Sequence, residues 1–314
     1  MILALAGGVG GARLAQGLVE VLGPHELTIV VNVGDDFEHL GLTVCPDLDT
    51  VMYTLAGVQN PATGWGRADE TWHFMQTLER IGGETWFRLG DHDLAVHVER
   101  TRRLAAGQTL SEITAALCAG FGIRHPVLPA TDQRLRTRVT TDAGELAFQD
   151  YFVRRRAEPV VRALSFEGAA TARPAPALAA LIESGGIAGI VLCPSNPWLS
   201  VDPILAVAPI AALVDSHEVP VVAVSPIIAG SAVKGPAAKI MRELGAGSDA
   251  LGVVDHYGAR VGAWVIDRQD ASLADAIRSR GRRVAVNDTI MSTPERARAL
   301  AASALALLSD TDAR

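Results

Sequence analysis

Four aspartates, Asp35, Asp36, Asp47 and Asp49, fall within one short stretch near the start of the chain. Carboxylates gathered this closely can hold a divalent cation through oxygen, and Mg²⁺ commonly joins such a set to a substrate phosphate. Just upstream, Gly7-Gly8-Val9-Gly10-Gly11-Ala12-Arg13 separates a short apolar run from an amphipathic one. Glycines let a ligand approach the backbone, and unpaired N–H groups at a helix start attract an anion. Together the two pieces describe a nucleotide phosphate site beside a divalent metal. Each also has a plainer reading. A lone Asp at a loop-to-helix junction, such as Asp35 or Asp49, caps a helix, and a glycine turn after a first strand is an ordinary βα connection. The turn is not a Walker A loop, because no Gly-Lys-Ser/Thr follows, and its GGxGG spacing departs from the dinucleotide fingerprint.

Further polar breaks follow apolar runs. Gly90-Asp91-His92-Asp93 is one, and His97 comes a helical turn after Asp93, so those two can share a face. Ser195-Asn196-Pro197 and Ser225-Pro226 are others, where Ser and Asn either bind ribose, base or phosphate or simply build a turn. Lys234 and Lys239 flank a helix start opened by Gly235 and are phosphate candidates, although solvated lysines are commoner. The turn-rich stretch 57–69 carries Trp65 and Arg67 and reads as a functional loop. No HExxH and no local Ser-His-Asp grouping occurs.

Such breaks act together only if strand ends share one edge. Apolar runs at 2–6, 27–33, 189–193, 219–224, 261–266 and 284–286 alternate with helical patterns, including a closing one at 294–308. That rhythm implies an α/β fold, Rossmann-like, with a mostly parallel sheet and helices on both faces. Ligands of such sheets bind at the carboxyl ends of the strands. Between the two halves the pattern changes. Alternation at 135–141 and 146–153 around Asp142-Ala143-Gly144-Glu145 reads as a hairpin, with another strand at 160–166. The expected organisation is therefore a core of residues 1–124 and 186–314 with a smaller inserted, β-containing α/β region at 125–185. A strand is also expected at 85–89 and a single helix at 204–214.

Hydrophobic residues make up 49% and charged residues 20%, enough to fill a core. The net charge of −7 argues against nucleic acid, which requires a basic stripe. Three cysteines without a CxxC argue for a reducing compartment and against structural zinc. The opening apolar run is too short for a signal peptide and no run is long enough to span a bilayer, so a soluble, cytoplasmic protein is expected.

The ordered series of motifs resembles the 2-phospho-L-lactate transferase family across nearly the whole chain. The residues that carry it are Leu5 to Arg13, Val31-Asn32-Val33-Gly34-Asp35-Asp36, Cys45-Pro46-Asp47-Leu48-Asp49-Thr50, Trp65-Gly66 and Leu89-Gly90-Asp91-His92-Asp93 with His97. Phe148-Gln149-Asp150, Pro194-Ser195-Asn196-Pro197 and Val224-Ser225-Pro226-Ile227-Ile228 complete it. The Trp-Gly and Cys-Pro-Asp-Leu-Asp-Thr versions look closest to bacterial, phosphoenolpyruvate-type members.

The resemblance implies a Mg²⁺-dependent phosphotransferase of coenzyme F420 biosynthesis. It would move a phospho-organic-acid unit from a guanosine diphosphate-activated donor to the ribityl hydroxyl of Fo, the deazaflavin 7,8-didemethyl-8-hydroxy-5-deazariboflavin, releasing GMP. Asp36 and Asp47, with Asp35 beside them, would hold the metal. Asp49 would hold the Fo hydroxyls and orient the attacking oxygen, so Asp36, Asp47 and Asp49 are the catalytic candidates. Gly7, Gly8, Val9, Gly10, Gly11 and Arg13 would cradle phosphates. Ser195, Asn196 and Ser225 would bind the guanosine side, and Trp65 and His92 would contact Fo. His92 stands where family members often carry Arg or Lys. A homodimer is implied. The donor's acid, lactyl, enolpyruvyl or glyceryl, is left open, as is which aspartate, if any, serves as a base. The competing reading is a non-catalytic nucleotide-sugar or dinucleotide-binding regulator that shares the GGxG opening.

Overall fold

The computed structural model describes residues 1–232 and 235–309 of the 314-residue chain. Its centre is a seven-stranded sheet of β1 (Ile2–Ala6), β2 (Leu27–Val31), β3 (Val127–Pro129), β4 (Gly189–Leu192), β5 (Val221–Val224), β6 (Ala263–Asp267) and β7 (Arg283–Asn287). Every pairing is parallel, and the order is β7-β6-β5-β4-β1-β2-β3. The central strands are buried along their length. Such strands need apolar side chains on both faces, which is why they read as unbroken Val/Ile/Leu runs. Helices flank the sheet. The chain builds outward in one direction from β1 to β3, then restarts at β4 on the other side of β1. That reversal opens a crevice between the carboxyl ends of β1 and β4, the standard ligand position in doubly wound sheets.

Five helices in the first half matter for what sits there: α1 (Gly8–Val19), α2 (Pro46–Leu55), α3 (His73–Arg80), α4 (Asp91–Ala105) and α5 (Leu110–Gly120). α1 packs against α2 and against the closing helix Pro294–Ser309. It crosses the latter so closely that a Cβ on Gly17 would lie 2.2 Å from the Ala297 carbonyl oxygen.

Within 125–185, β3 joins the main sheet beside β2. The separate unit is a three-stranded antiparallel sheet of Gly144–Ala147, Arg136–Thr141 and Val161–Glu167. The second strand of its hairpin ends at Ala147 rather than continuing to residue 153, because Asp150–Arg154 coils into a helical turn. That turn stacks Phe148 on Phe152 at 5.5 Å. In a strand the same i, i+4 pair would stand about 13 Å apart.

The strand expected at 85–89 does not form. Trp86 and Phe87 instead pack their rings on Phe37 and His39, at 4.8 Å for Phe37–Phe87 and 5.1 Å for His39–Trp86. Phe37–His39 and Leu42–Val44 form a hairpin that the sequence did not announce. Its turn places Leu40 and Gly41 at positive φ, and Leu is not a residue that signals this. The helix expected at 204–214 is broken into Pro197–Val201, Asp202–Leu205 and Ala208–Asp215. Pro203 and Pro209 each open a new segment, since proline fits a helix's first turn but not its interior. Among the described residues no single helix is long and apolar enough to cross a membrane.

The close α1 crossing yields a test. At an open helical position Gly→Ala stabilises by about 1 kcal/mol. Gly17→Ala is expected to destabilise by about 1–3 kcal/mol because it overpacks the crossing. The urea midpoint of the purified variant checks the sign.

Candidate functional site

The crevice shows why the first turn is built of glycine. The Gly7 amide donates to Ser195 Oγ at 3.1 Å, tying the end of β1 to the loop after β4. A Cβ on Gly10 would stand 2.2 Å from the Pro194 carbonyl oxygen, and one on Gly11 would stand 2.5 Å from Ser195 Oγ. A Cβ on Gly7 would meet Asp47 Oδ2 at 2.4 Å, and Gly8 has a φ of +61°. α1 begins here without a side-chain cap. The Gly8 amide donates to Asp47 Oδ1 at 2.7 Å. The Val9 and Gly10 amides, on the same wall, belong to the first turn and have no intrahelical acceptor. Arg13 also lines this wall, with Nη1 donating to the Met291 carbonyl.

Below the amides lies an acidic floor. Pro46 at the first turn of α2 sets Asp47 and Asp49 at that helix's N-terminus, where the dipole favours negative charge. Asn32, fully buried at the end of β2, is the hub. Its Oδ1 accepts from the Gly34 amide at 2.7 Å. Its Nδ2 lies 2.9 Å from Asp47 Oδ2, 3.2 Å from Asp35 Oδ1 and 3.2 Å from the Leu199 carbonyl. Burial pushes the Asp47 pKa up to about 6 against hydrogen bonds from Asn32, Gly8 and Ser200. Burial, then the charge of Asp47, raises that of Asp35 well above the ordinary range.

Asp36 does not join this pair. It lines a second cavity of about 540 Å³, together with Arg136 and Arg138 of the small sheet. Burial raises its pKa to about 7, Arg136 and a Cys45 hydrogen bond oppose the rise, and its Oδ1 has no partner. Among the three expected metal ligands, Asp47 is linked through Asn32 to Asp35 rather than to Asp36. Asp35 lines both cavities and so reaches the crevice, whereas Asp36 lines only the second, beside the inserted sheet.

A second buried cluster stands beside the floor. Arg100 of α4 donates to both oxygens of Asp49, with Nη1–Oδ2 at 3.1 Å. His97 sets Nδ1 3.2 Å from Arg100 Nη1 and Nε2 3.3 Å from Asp93 Oδ2. The Tyr53 hydroxyl donates to Asp93 Oδ1 at 2.6 Å. Burial works to raise the Asp93 pKa, but His97, Tyr53 and Arg100 hold it below the usual range. The shared face of Asp93 and His97 matches the i, i+4 spacing. Arg100 was not singled out from the sequence, although it sits one turn beyond His97.

Ligand atoms of Asp49, Asp93 and His97 lie within 4.8 Å of one another, as a metal centre requires. The guanidinium on Asp49 would face any cation placed there, and like charges at such range repel. Asp35 and Asp47 fit a divalent ion better. Both are buried oxygen donors, neither forms an ion pair among the described residues, and burial penalises the charge that a cation would neutralise.

The glycine turn, Arg13, Asp35, Asp47, Asp49, Tyr53, Asp93 and His97 line one cavity of about 830 Å³, whereas Asn32, Asp36 and Arg100 stand behind its wall. Its lining also includes the aromatic residues Trp65, Trp86, Phe87, Phe148 and Phe152. Trp65 is 55% exposed at the rim. Ser195, Asn196 and Ser225 line the cavity, but their side chains also hold the loops. Asn196 Oδ1 accepts from the Trp198 and Leu199 amides, and the Ser225 hydroxyl donates to the Ile227 carbonyl at 3.0 Å. His92 is exposed and absent from the cavity wall. Its motif is mostly architectural. Asp91 accepts from the His73 and Phe74 amides at the start of α3. Glu70 accepts from the His92 and Asp93 amides, so closely that a Cβ on Gly90 would meet it at 2.1 Å. Lys239 is spent on the Pro159 carbonyl and Glu243, and Lys234 lies outside the described residues.

Residues 2–305 match a family model described as 2-phospho-L-lactate transferase CofD. The chain is 41% identical over 313 residues to a phosphoenolpyruvate transferase of Kitasatospora aureofaciens, covering 98% of this chain and 97% of the other. It is 43% identical over 286 residues to a Mycobacterium tuberculosis protein of the same name, covering 85% and 86%. A solved structure of a UPF0052-family protein from Bacillus halodurans is similar at a TM-score of 0.64 and 14% identity, over 97% of this chain and 98% of that one. That likeness is one of fold.

The raised carboxylates set the pH dependence of stability. Asp36 and Asp47 titrate near 7 and 6 in the fold against an ordinary 3.8, so the folded chain keeps protons that the unfolded chain has lost. Stability of the metal-free protein should therefore fall as pH rises from about 4 to about 7. Thermal melts across that range check the sign. Asp36→Asn is expected to raise the midpoint at pH 8 and to leave it nearly unchanged at pH 4.

Proposed function

The chain belongs to the 2-phospho-L-lactate transferase CofD family, and from that premise and the geometry of the crevice we propose a specific transfer. The enzyme moves a phosphoenolpyruvyl unit from a guanosine diphosphate-activated donor to the ribityl hydroxyl of Fo, releasing GMP, in coenzyme F420 biosynthesis. The names of the relatives favour enolpyruvyl over lactyl or glyceryl as the acid. One observation carries the reading: the Gly8 amide on Asp47, which places helix-start N–H groups and a buried carboxylate pair against one space.

Displacement at phosphorus asks a protein mainly for positioning and for stabilisation of spread negative charge. The Val9 and Gly10 amides would receive phosphate oxygens, with Arg13 beside them. Asp35 and Asp47 would hold Mg²⁺, which when bound supplies charge neutralisation on the transferred phosphate and the leaving GMP. The loops bearing Ser195, Asn196 and Ser225 would take the guanosine end. Trp65, Trp86, Phe148 and Phe152 offer a wall for a planar deazaflavin ring, since aromatic faces prefer offset stacking. Asp49 would accept hydrogen bonds from ribityl hydroxyls. A homodimer and a cytoplasmic location belong to the same proposal.

The test is mass spectrometry of the product made by purified protein from Fo and the guanosine diphosphate-activated enolpyruvate donor. Product and GMP should appear with Mg²⁺ and vanish with EDTA. Asp47→Asn should lower kcat about 10²-fold or more while circular dichroism remains native. Undiminished turnover in that variant would refute the metal assignment.

A further inference from the structure

The cluster beside the acidic floor contains three groups able to handle a proton: Asp49, His97 and Asp93. Geometry eliminates two of them. Asp49 has both oxygens engaged by Arg100, and its side chain is only 6% exposed. His97 is 1% exposed, and its Nδ1 faces Arg100 Nη1 at 3.2 Å. Arginine carries no acceptor, so in this contact Nδ1 offers its lone pair. Nδ1 also lies 3.6 Å from Asp49 Oδ2, so the ion pair covers this edge of the ring. His97 is thus enclosed between the Asp49–Arg100 pair and Asp93, with its Nε2 3.3 Å from Asp93 Oδ2.

Asp93 remains. Its side chain is 18% exposed and lines the main cavity. Oδ1 is occupied by the Tyr53 hydroxyl, while Oδ2 has His97 Nε2 at 3.3 Å and further lone-pair capacity. The carboxylate stands in the first turn of α4, whose first amides are held by Glu70.

We infer that Asp93 accepts the proton of the attacking hydroxyl in the transfer, and that His97 and Arg100 are positioning residues that aim it. This inference rests on the transferase reading above. In the step, the acceptor O–H bond breaks and an O–P bond forms. The P–O bond to GMP breaks, and GMP keeps that electron pair. The proton moves to Asp93 Oδ2 and leaves to solvent from its exposed edge. The low basicity of Asp93 is adequate, because in a loose phosphoryl transfer the hydroxyl loses its proton late and an Asp serves as base in kinases. Asp49 then acts as a fixed acceptor for neighbouring hydroxyls, a binding role.

Steady-state kinetics of the full chain with Fo, the guanosine diphosphate-activated enolpyruvate donor and Mg²⁺ test this. Asp93→Asn should lower kcat by about 10²–10⁴-fold and leave both KM values within about threefold. His97→Gln, which keeps an N–H donor toward Asp93, should retain kcat within about tenfold, whereas His97→Leu should approach the Asp93→Asn level. Mn²⁺ binding, followed by electron paramagnetic resonance, should be equal in wild type and Asp93→Asn. Several outcomes would overturn the assignment: wild-type kcat in Asp93→Asn, a loss expressed in the KM for Fo, equal loss in both His97 variants, or lost Mn²⁺ affinity. The last would mark Asp49, Asp93 and His97 as a metal centre. These results leave the transferase reading standing so long as the wild type makes product. A wild type that makes none removes that reading and this inference together.

Discussion

The hydrogen bond from the Gly8 amide to Asp47 Oδ1, 2.7 Å long, joins the two halves of the site. It forms only because α1 and α2 both start at the carboxyl edge of the sheet, one after β1 and the other beyond β2. Their N-termini converge, so two helix dipoles and two sets of unpaired amides point into one crevice. Glycine is obligatory there, since a Cβ at residue 7, 10 or 11 would collide with Asp47, Pro194 or Ser195. The same crowding leaves Val9 and Gly10 as the amides open to a ligand.

Holding the acids in place has a thermodynamic cost. Asp35 and Asp47 share the amide of Asn32 instead of a cation, and both carry raised pKa values from burial. The fold tolerates this because Asn32, Gly8 and Ser200 satisfy part of the carboxylates' hydrogen-bonding capacity. Neither carboxylate is paired with a Lys or Arg among the described residues. The Asp49–Arg100 pair a short distance away takes the other course, with both carboxylate oxygens bound. Two neighbouring acids on one helix turn therefore have different surroundings: Asp47 has no cationic partner among the described residues, and Asp49 is already paired with Arg100.

The inserted residues complete the cavity from the side the sheet cannot reach. Phe148 and Phe152 stack through a helical turn after the hairpin, and Trp86 leans in from the loop that packs on Phe37 and His39. The cavity lining thus joins the polar groups of the glycine turn and acids to a set of aromatic side chains. Gln149 ties the two, donating to the Asp35 carbonyl at 3.2 Å.

Much of this was legible in order along the chain. The alternating apolar runs and glycine punctuation determined an α/β sheet, the turn at residues 7–11 and the acidic stretch near its edge. These depend on period and on local backbone needs, which neighbours in sequence carry. What they could not carry is direction. Asp35 and Asp36 are adjacent and chemically alike, yet one faces Asn32 and the crevice and the other faces Cys45 and the inserted sheet. His92 and Asp93 divide the same way, because successive helix residues point about 100° apart and only packing decides which points inward. Arg100 lies 51 positions from Asp49 and carries no local signature. Its pairing exists because α4 packs on the Leu42–Val44 strand just before α2, which buries the guanidinium and the carboxylate against each other.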